Sequence, residues 1–296
     1  MRTDYTEVFQ DTAAAEKYEH VVYAPDSYAT AVSRRQRTYL RGLVRREFPY
    51  RRPVQHDFAC GTGRAIRLLH GLVRAAHGYD TSAAMLAKAS EVAGHATLHE
   101  VPADGPVPRP AESERPALVT IFRLLLNVDA AVRDRAIAFA AQLLPHRDAG
   151  LLVVENHGNR RSLRHLSHRR RANDPWFAEL SHEEVAELLS RHGFTIVEQR
   201  GCTLFPQGWY ARRWLRPLVR VVDDVCTRFR LFGNAAVNVL YVARRTAPAP
   251  RRPNPAGAGV AASARGPAAR PSAAVPTAGA AGTDQPPRSA PTRPMP

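Results

Sequence analysis

The sequence predicts an α/β fold: a doubly wound, seven-stranded, mostly parallel sheet with helices on both faces. Three observations carry that expectation. Apolar strand-like runs alternate with segments whose apolar residues recur at helical spacing. The runs are near-continuously apolar, the pattern of strands covered on both sides. Seven of them fall within the first 245 residues of a 296-residue chain, which suits one domain with a cap or insertion.

In order along the chain, residues 54–59 form a first strand that runs into Gly61-Thr62-Gly63. Residues 64–73 place Ala65, Ile66, Leu68, Leu69 and Leu72 on one side of a helix. A second strand over 73–79 ends at Asp80, and Thr81 or Ser82 can cap the helix that carries Met85, Leu86 and Ala89. Residues 97–101 read as a third strand. A loop bearing Pro102, Pro106, Pro108, Pro110 and Pro116 follows, since no helix or central strand tolerates that density. Residues 117–122 form a buried strand, 133–144 a helix and 150–155 a fifth strand. Ser181 and Glu184 fit a capping box for the next helix, which Gly193 closes. Runs over 194–199 and 234–243 complete the sheet.

Composition bounds the function. Hydrophobic residues make up 44% and charged residues 23%, so a core can form. The sequence contains no run of about 18 apolar residues to span a membrane. The opening residues carry acids and no apolar stretch, against a secretory signal. Cys60, Cys202 and Cys226 are too few for a disulfide framework, and the expected compartment is the reducing cytoplasm. The net charge of +15 invites a nucleic-acid partner. However, Lys17 and Lys88 are the lysines and the other 40 basic residues are arginine. With the Ala and Pro richness, that skew reads as coding bias, and nucleic acid is not the expected partner. Half of the 24 prolines follow residue 246, and the segment 246–296 is expected to be a disordered tail. Three parts result: an N-terminal helical lid over 1–52, a ligand-binding domain over 53–245, and the tail.

In an open parallel sheet, ligands bind beyond the carboxyl ends of the strands, where the strand order reverses. The first strand delivers Asp57-Phe58-Ala59-Cys60-Gly61-Thr62-Gly63 to that edge. Gly61 and Gly63 allow close backbone approach. Asp80, about 20 residues on, is placed to accept two hydrogen bonds from a ribose diol. A dinucleotide fingerprint needs a third glycine, but Ile66 stands there, and no Gly-Lys-Ser/Thr follows. The ligand left is an adenosine without phosphates.

These residues, with Gly78-Tyr79-Asp80-Thr81-Ser82 and then Met85-Leu86, resemble the opening of S-adenosylmethionine-dependent methyltransferases of the Rossmann-like (class I) superfamily. The usual form has glycine at the place of Ala59. The strand Leu118-Val119-Thr120-Ile121-Phe122-Arg123 and the segment 180–194 extend the resemblance over roughly residues 54–200. It implies S-adenosyl-L-methionine as cofactor and a role for each matching residue. Asp57 and the backbone of Ala59, Cys60, Gly61, Thr62 and Gly63 would hold the methionyl end. Asp80 would take the ribose hydroxyls, and Thr81 and Met85 would lie near the adenine. Asp104, with Glu100 as rival, would be the acid on the adenine amino group. Arg123 to Asn127 would face the reacting methyl.

A sulfonium is already a strong electrophile, so alignment and water exclusion can supply most of the catalysis. A base is needed only where the acceptor must lose a proton, and His157 is the candidate, against a purely structural role in its loop. His165, His168 and His182 are weaker candidates, and their spacing does not make a metal site. Cys60 reads as packing under the cofactor rather than as a nucleophile. Tyr23, Tyr28 and Tyr39 could line the lid. The segment 209–220 puts Arg212, Arg216 and Arg220 on one helical side and Trp214, Leu218 and Val221 on the other. It reads as a solvated helix, a substrate cap or an interfacial patch. The arginine-rich run 160–171 reads as a charged surface or an anion clamp. The expected activity is methyl transfer to a small-molecule acceptor, in a tailoring step of secondary metabolism. The alternatives are an RNA methyltransferase and a binding protein of the same fold without turnover.

Overall fold

The computed structural model describes residues 27–103, 105, 107, 115–168 and 179–246. The expected tail beyond Thr246, the first half of the expected lid and Asp104 lie outside the described residues. Chain order gives α1 (Tyr28–Glu47), β1 (Val54–Phe58), α2 (Arg64–Leu69), β2 (Ala75–Asp80), α3 (Ala83–Val92) and β3 (Thr97–Glu100). Then come β4 (Ala117–Ile121), α4 (Ala130–Leu143), β5 (Gly150–Asn156), α5 (Leu163–His168) and α6 (His182–Arg191). The chain closes with β6 (Phe194–Thr203), α7 (Gln207–Ala211), α8 (Arg216–Arg228) and β7 (Asn238–Arg245).

The described strands form one seven-stranded sheet in the order β3-β2-β1-β4-β5-β7-β6. The first five are parallel, and β7 runs antiparallel to both β5 and β6. Every residue of β1, β4 and β5 is buried, as strands covered on both faces must be, including the polar Gln55, His56 and Asp57 of β1. Alternate side chains serve two cores. Leu118, Leu151, Val153 and Leu240 pack under α1 and α2 with Leu40, Leu43, Leu68 and Leu69. Val119, Ile121, Leu152 and Val154 pack under α4 and α6 with Ile137, Phe139, Leu188 and Leu189.

Helix starts follow local chemistry. Ser82, not Thr81, caps α3 through Met85 N, and Asp129 caps α4 through Val132 N. The expected capping box of Ser181 and Glu184 opens α6. Three boundaries differ by four residues from the sequence reading. Helix α2 ends at Leu69 because Gly71 turns left-handed at φ +80°. Strand β6 runs on to Thr203, since pairing with β7 carries its polar residues past Gln199. The last strand begins at Asn238 because residues 233–235 form a 3-10 turn.

Candidate functional site

A cavity of about 190 Å³ opens beyond the carboxyl ends of β1, β2 and β4, beside the point where the chain reverses from one half of the sheet to the other. Its wall includes Asp57, Ala59, Cys60, Gly61, Thr62, Asp80, Thr81, Met85 and Arg123. Gly63 is not on the wall. It sits at φ +74°, and a Cβ there would lie 3.2 Å from Ala93 Cβ, so it serves the approach of the bend to α3.

The bend after β1 holds three left-handed residues: Ala59 at φ +56°, Gly61 at +53° and Gly63 at +74°. For Ala59 that conformation costs about 1–2 kcal/mol, and the surrounding hydrogen bonds offset it. Cys60 N donates to Tyr79 O over 3.1 Å, and Gly61 N donates to Asp80 Oδ2 over 2.7 Å. Ser82 N donates to Asp80 Oδ1 over 3.0 Å. Each carboxylate oxygen of Asp80 thus keeps a lone pair for a further donor. Burial raises the Asp80 pKa, and the facing backbone N–H groups of Gly61, Ser82 and Thr81 pull it back.

Asp57 lies deeper. Thr120 Oγ1 donates to its Oδ1 over 2.5 Å, and burial pushes its pKa up to about 7. Burial also pushes the Cys60 thiol well above its usual range, so it is a packing group and not a thiolate.

Below the opposite wall lies a buried charged network. Arg64 Nη2 meets Glu155 Oε2 at 2.9 Å, and Arg64 Nη1 donates to Gln36 Oε1 over 2.9 Å. Gln36 Nε2 donates to Glu155 Oε1 over 2.7 Å. Arg123 N donates to Glu155 Oε2 over 3.2 Å, which holds Arg123 at φ +57°. Asn127 Nδ2 donates back to Arg123 O over 2.8 Å. Arg64, Phe122, Arg123, Leu124 and Asn127 all face the cavity. Sequence reasoning missed the roles of Arg64 and Glu155. The available signal was an acid closing the otherwise apolar run 150–155, since a charge there must be paired.

Other expected residues fall elsewhere. His157 is buried and off the cavity wall, and no hydrogen-bond partner meets its Nδ1 among the described residues. Burial, then Arg123, Arg164 and Arg64, hold its pKa well below the usual range, so the ring is neutral. Glu100 is exposed and off the wall, where Val101 and Ala103 stand instead. His165 is engaged by Glu179 at 2.5 Å and His182 by Tyr241 at 2.5 Å. Tyr28 bonds Thr203 and Asn238, and Tyr39 lies beneath Arg200. Tyr23 lies outside the described residues. Among the described residues, no three His, Cys, Asp or Glu side chains converge to hold a metal.

No family model matches the sequence, and no curated protein matches it. Solved structures do. Magnesium protoporphyrin IX methyltransferase from Synechocystis PCC 6803, solved with bound S-adenosylhomocysteine, superposes with a TM-score of 0.53 at 12% identity, over 83% of this chain and 100% of that one. A chain from a Haloferax volcanii complex with the Trm112 methyltransferase activator gives 0.52 at 15% identity, over 83% and 100%. A Thermotoga maritima S-adenosylmethionine-dependent methyltransferase gives 0.51 at 15% identity, over 81% and 99%. At such identities the likeness is one of fold, and the chain has the class I Rossmann-like fold of the S-adenosylmethionine-dependent methyltransferases.

Proposed function

We propose that the cavity binds S-adenosyl-L-methionine and that the chain transfers its methyl group to a small-molecule acceptor. The observation that carries this reading is the convergence of the bend at residues 59–63 and Asp80, tied by the bond from Gly61 N to Asp80 Oδ2. The donor set fits a nucleoside without phosphates: Ile66 is fully buried where a pyrophosphate site needs glycine.

In this reading Asp80 accepts the ribose hydroxyls on its two spare lone pairs. Thr81 and Met85 flank the adenine, together with Asp104. Asp57 and the backbone of residues 59–62 hold the methionyl end, while Gly63, expected beside them, only lets the bend approach α3. When bound, the cofactor supplies an electrophilic methyl. Arg123 and Asn127 fix the wall beside it, while Phe122, Leu124, Val128 and Val132 keep water out and orient the acceptor. His157 is the proposed base where the acceptor must lose a proton. Its pKa, held well below the usual range, makes it a weak base, and with its place off the wall this favours catalysis by alignment. The domain over 53–245 carries the cofactor, 1–52 faces the acceptor, and 246–296 forms a tail.

A small acceptor is favoured over RNA by the charge balance at the start of the arginine-rich run, whose residues 169–171 lie outside the described residues. Arg160, Arg161 and Arg164 pair with Glu184, Glu183 and Glu179 at 3.0, 2.6 and 2.8 Å, so acids already neutralise them. Residues 155–158 read Glu-Asn-His-Gly and lack the motif of base-amine methyltransferases. We infer a tailoring enzyme of secondary metabolism from the Ala, Pro and Arg coding bias, and a reducing cytoplasm from the three scattered cysteines. The test is calorimetric titration with the cofactor. Asp80→Ala should weaken binding by about 2 kcal/mol, roughly 30-fold. Equal affinity in the two proteins would remove the site assignment. Methyl turnover on a metabolite panel against total RNA then decides the acceptor class.

A further inference from the structure

We propose that the outer side of α8 is a docking surface for anionic lipid. Helix α8 already has its core contacts: Val219, Asp223 and Cys226 are buried. Asp223 Oδ2 accepts from Tyr210 over 2.5 Å, and Arg35 closes the cluster from α1. A second apolar stripe points the other way. On the helix Leu218, Val221 and Val225 follow at intervals of three and four residues and are 61, 60 and 45% exposed, and Phe229 at its C-cap is 64% exposed. Trp214 just before the helix and Phe232 just after it are 78 and 68% exposed. Singly exposed apolar residues need no explanation, but six within one short segment mark an interaction surface.

Charge names the partner. Arg212 and Arg213 stand at the start of the stripe, and Arg228 and Arg230 at its end. All four are exposed, and among the described residues Arg212, Arg213 and Arg228 form no salt bridge. Arg230 pairs with Glu198 at 2.9 Å. The acids on the helix are already committed, Asp223 in the core and Asp224 to Arg34 at 2.9 Å and Arg35 at 2.7 Å. An apolar helix side rimmed by arginines matches the headgroup and acyl boundary of an anionic leaflet. A second copy of the chain fits less well, because a two-fold contact would set each arginine rim against its own copy. The surface is peripheral: no described helix is long and apolar enough to cross a membrane. It does not depend on the methyl-transfer reading.

The experiment is co-sedimentation of the full chain with phosphatidylglycerol/phosphatidylcholine vesicles and with phosphatidylcholine alone. Partition should favour the anionic vesicles by about a hundredfold, the scale of a few arginines at a charged surface. Trp214 emission should move to the blue on binding. The double variant Leu218→Glu/Val221→Glu changes exposed positions and should lose at least about tenfold of the binding. Val197→Glu, equally exposed but off the stripe, should keep it. Equal partition into both lipids, absence of binding, or retention by the double variant overturns the proposal. So does a stable dimer by light scattering that the double variant dissolves, since a second copy would then own the surface.

Discussion

Replacing Glu155 by glutamine keeps the shape of the side chain and removes its charge. The consequence can be worked from the network around it. Glu155 and Arg64 are 1% and 9% exposed and meet at 2.9 Å, so neither is solvated once the other is neutral. Glu155 also accepts from Gln36, Asn238 and the backbone of Arg123, and a glutamine amide must turn an NH2 toward one of those donors. Breaking a buried pair by removing one partner costs about 3–5 kcal/mol. That is a large share of the total stability of about 5–15 kcal/mol usual for a domain. Urea unfolding followed by circular dichroism measures it. In the Glu155→Gln background, Arg64→Met should cost less than it does alone, with a coupling of about 2 kcal/mol. A loss below about 1 kcal/mol, or strictly additive variants, would refute the claim that Arg64 and Glu155 form a coupled buried pair.

Three further outcomes are expected. Gly78→Ala places a methyl 2.9 Å from Cys60 Sγ and 2.9 Å from Leu98 Cδ2, and should destabilise by about 1–3 kcal/mol in thermal unfolding. Ala59→Gly relieves the left-handed strain at φ +56° and should leave stability unchanged or raise it by up to about 1 kcal/mol, whereas Ala59→Val should lower it. Burial and the neighbouring His77 and His99 depress His56 to about 3, so the unfolded chain takes up its proton first. Its contribution is therefore intact above about pH 6.5 and is lost as pH falls toward 3, at up to about 1.4 kcal/mol per pH unit. His56→Gln should flatten that slope, and an unchanged slope would show that the ring is not held neutral.

The alternation of apolar runs and helix-spaced segments made the sheet legible, because β4 and β5 are buried on both faces and almost wholly apolar. The bend at 59–63 and Asp80 were legible for a similar reason: positive φ and a buried acid leave marks in residue type. Arg64, Gln36 and Glu155 were not. They lie far apart in the chain, and pairing between α1, α2 and β5 depends on crossovers that spacing does not encode. The reversal of β7 was also hidden, since an apolar run carries no sign of its direction. The start of the exposed stripe on α8, Trp214, Leu218 and Val221, was legible as one side of a helix, but its continuation to Val225 and Phe229 was not, because apolar periodicity does not say which side faces inward and the buried side includes Asp223.

Because β7 is hydrogen-bonded on both flanks, the half of the sheet beyond β5 cannot assemble in the order it is synthesised. During translation β5 presents an open edge while α5, α6, β6 and α8 emerge, and β6 has no neighbour to join. Asn238, at the start of β7, also receives Tyr28 from α1 and donates to Glu155, so the earliest described helix waits for the latest strand. Such long-range closure slows folding and lengthens the exposure of unpaired strands to self-association. Truncation before residue 238 should yield an aggregating chain rather than a smaller domain.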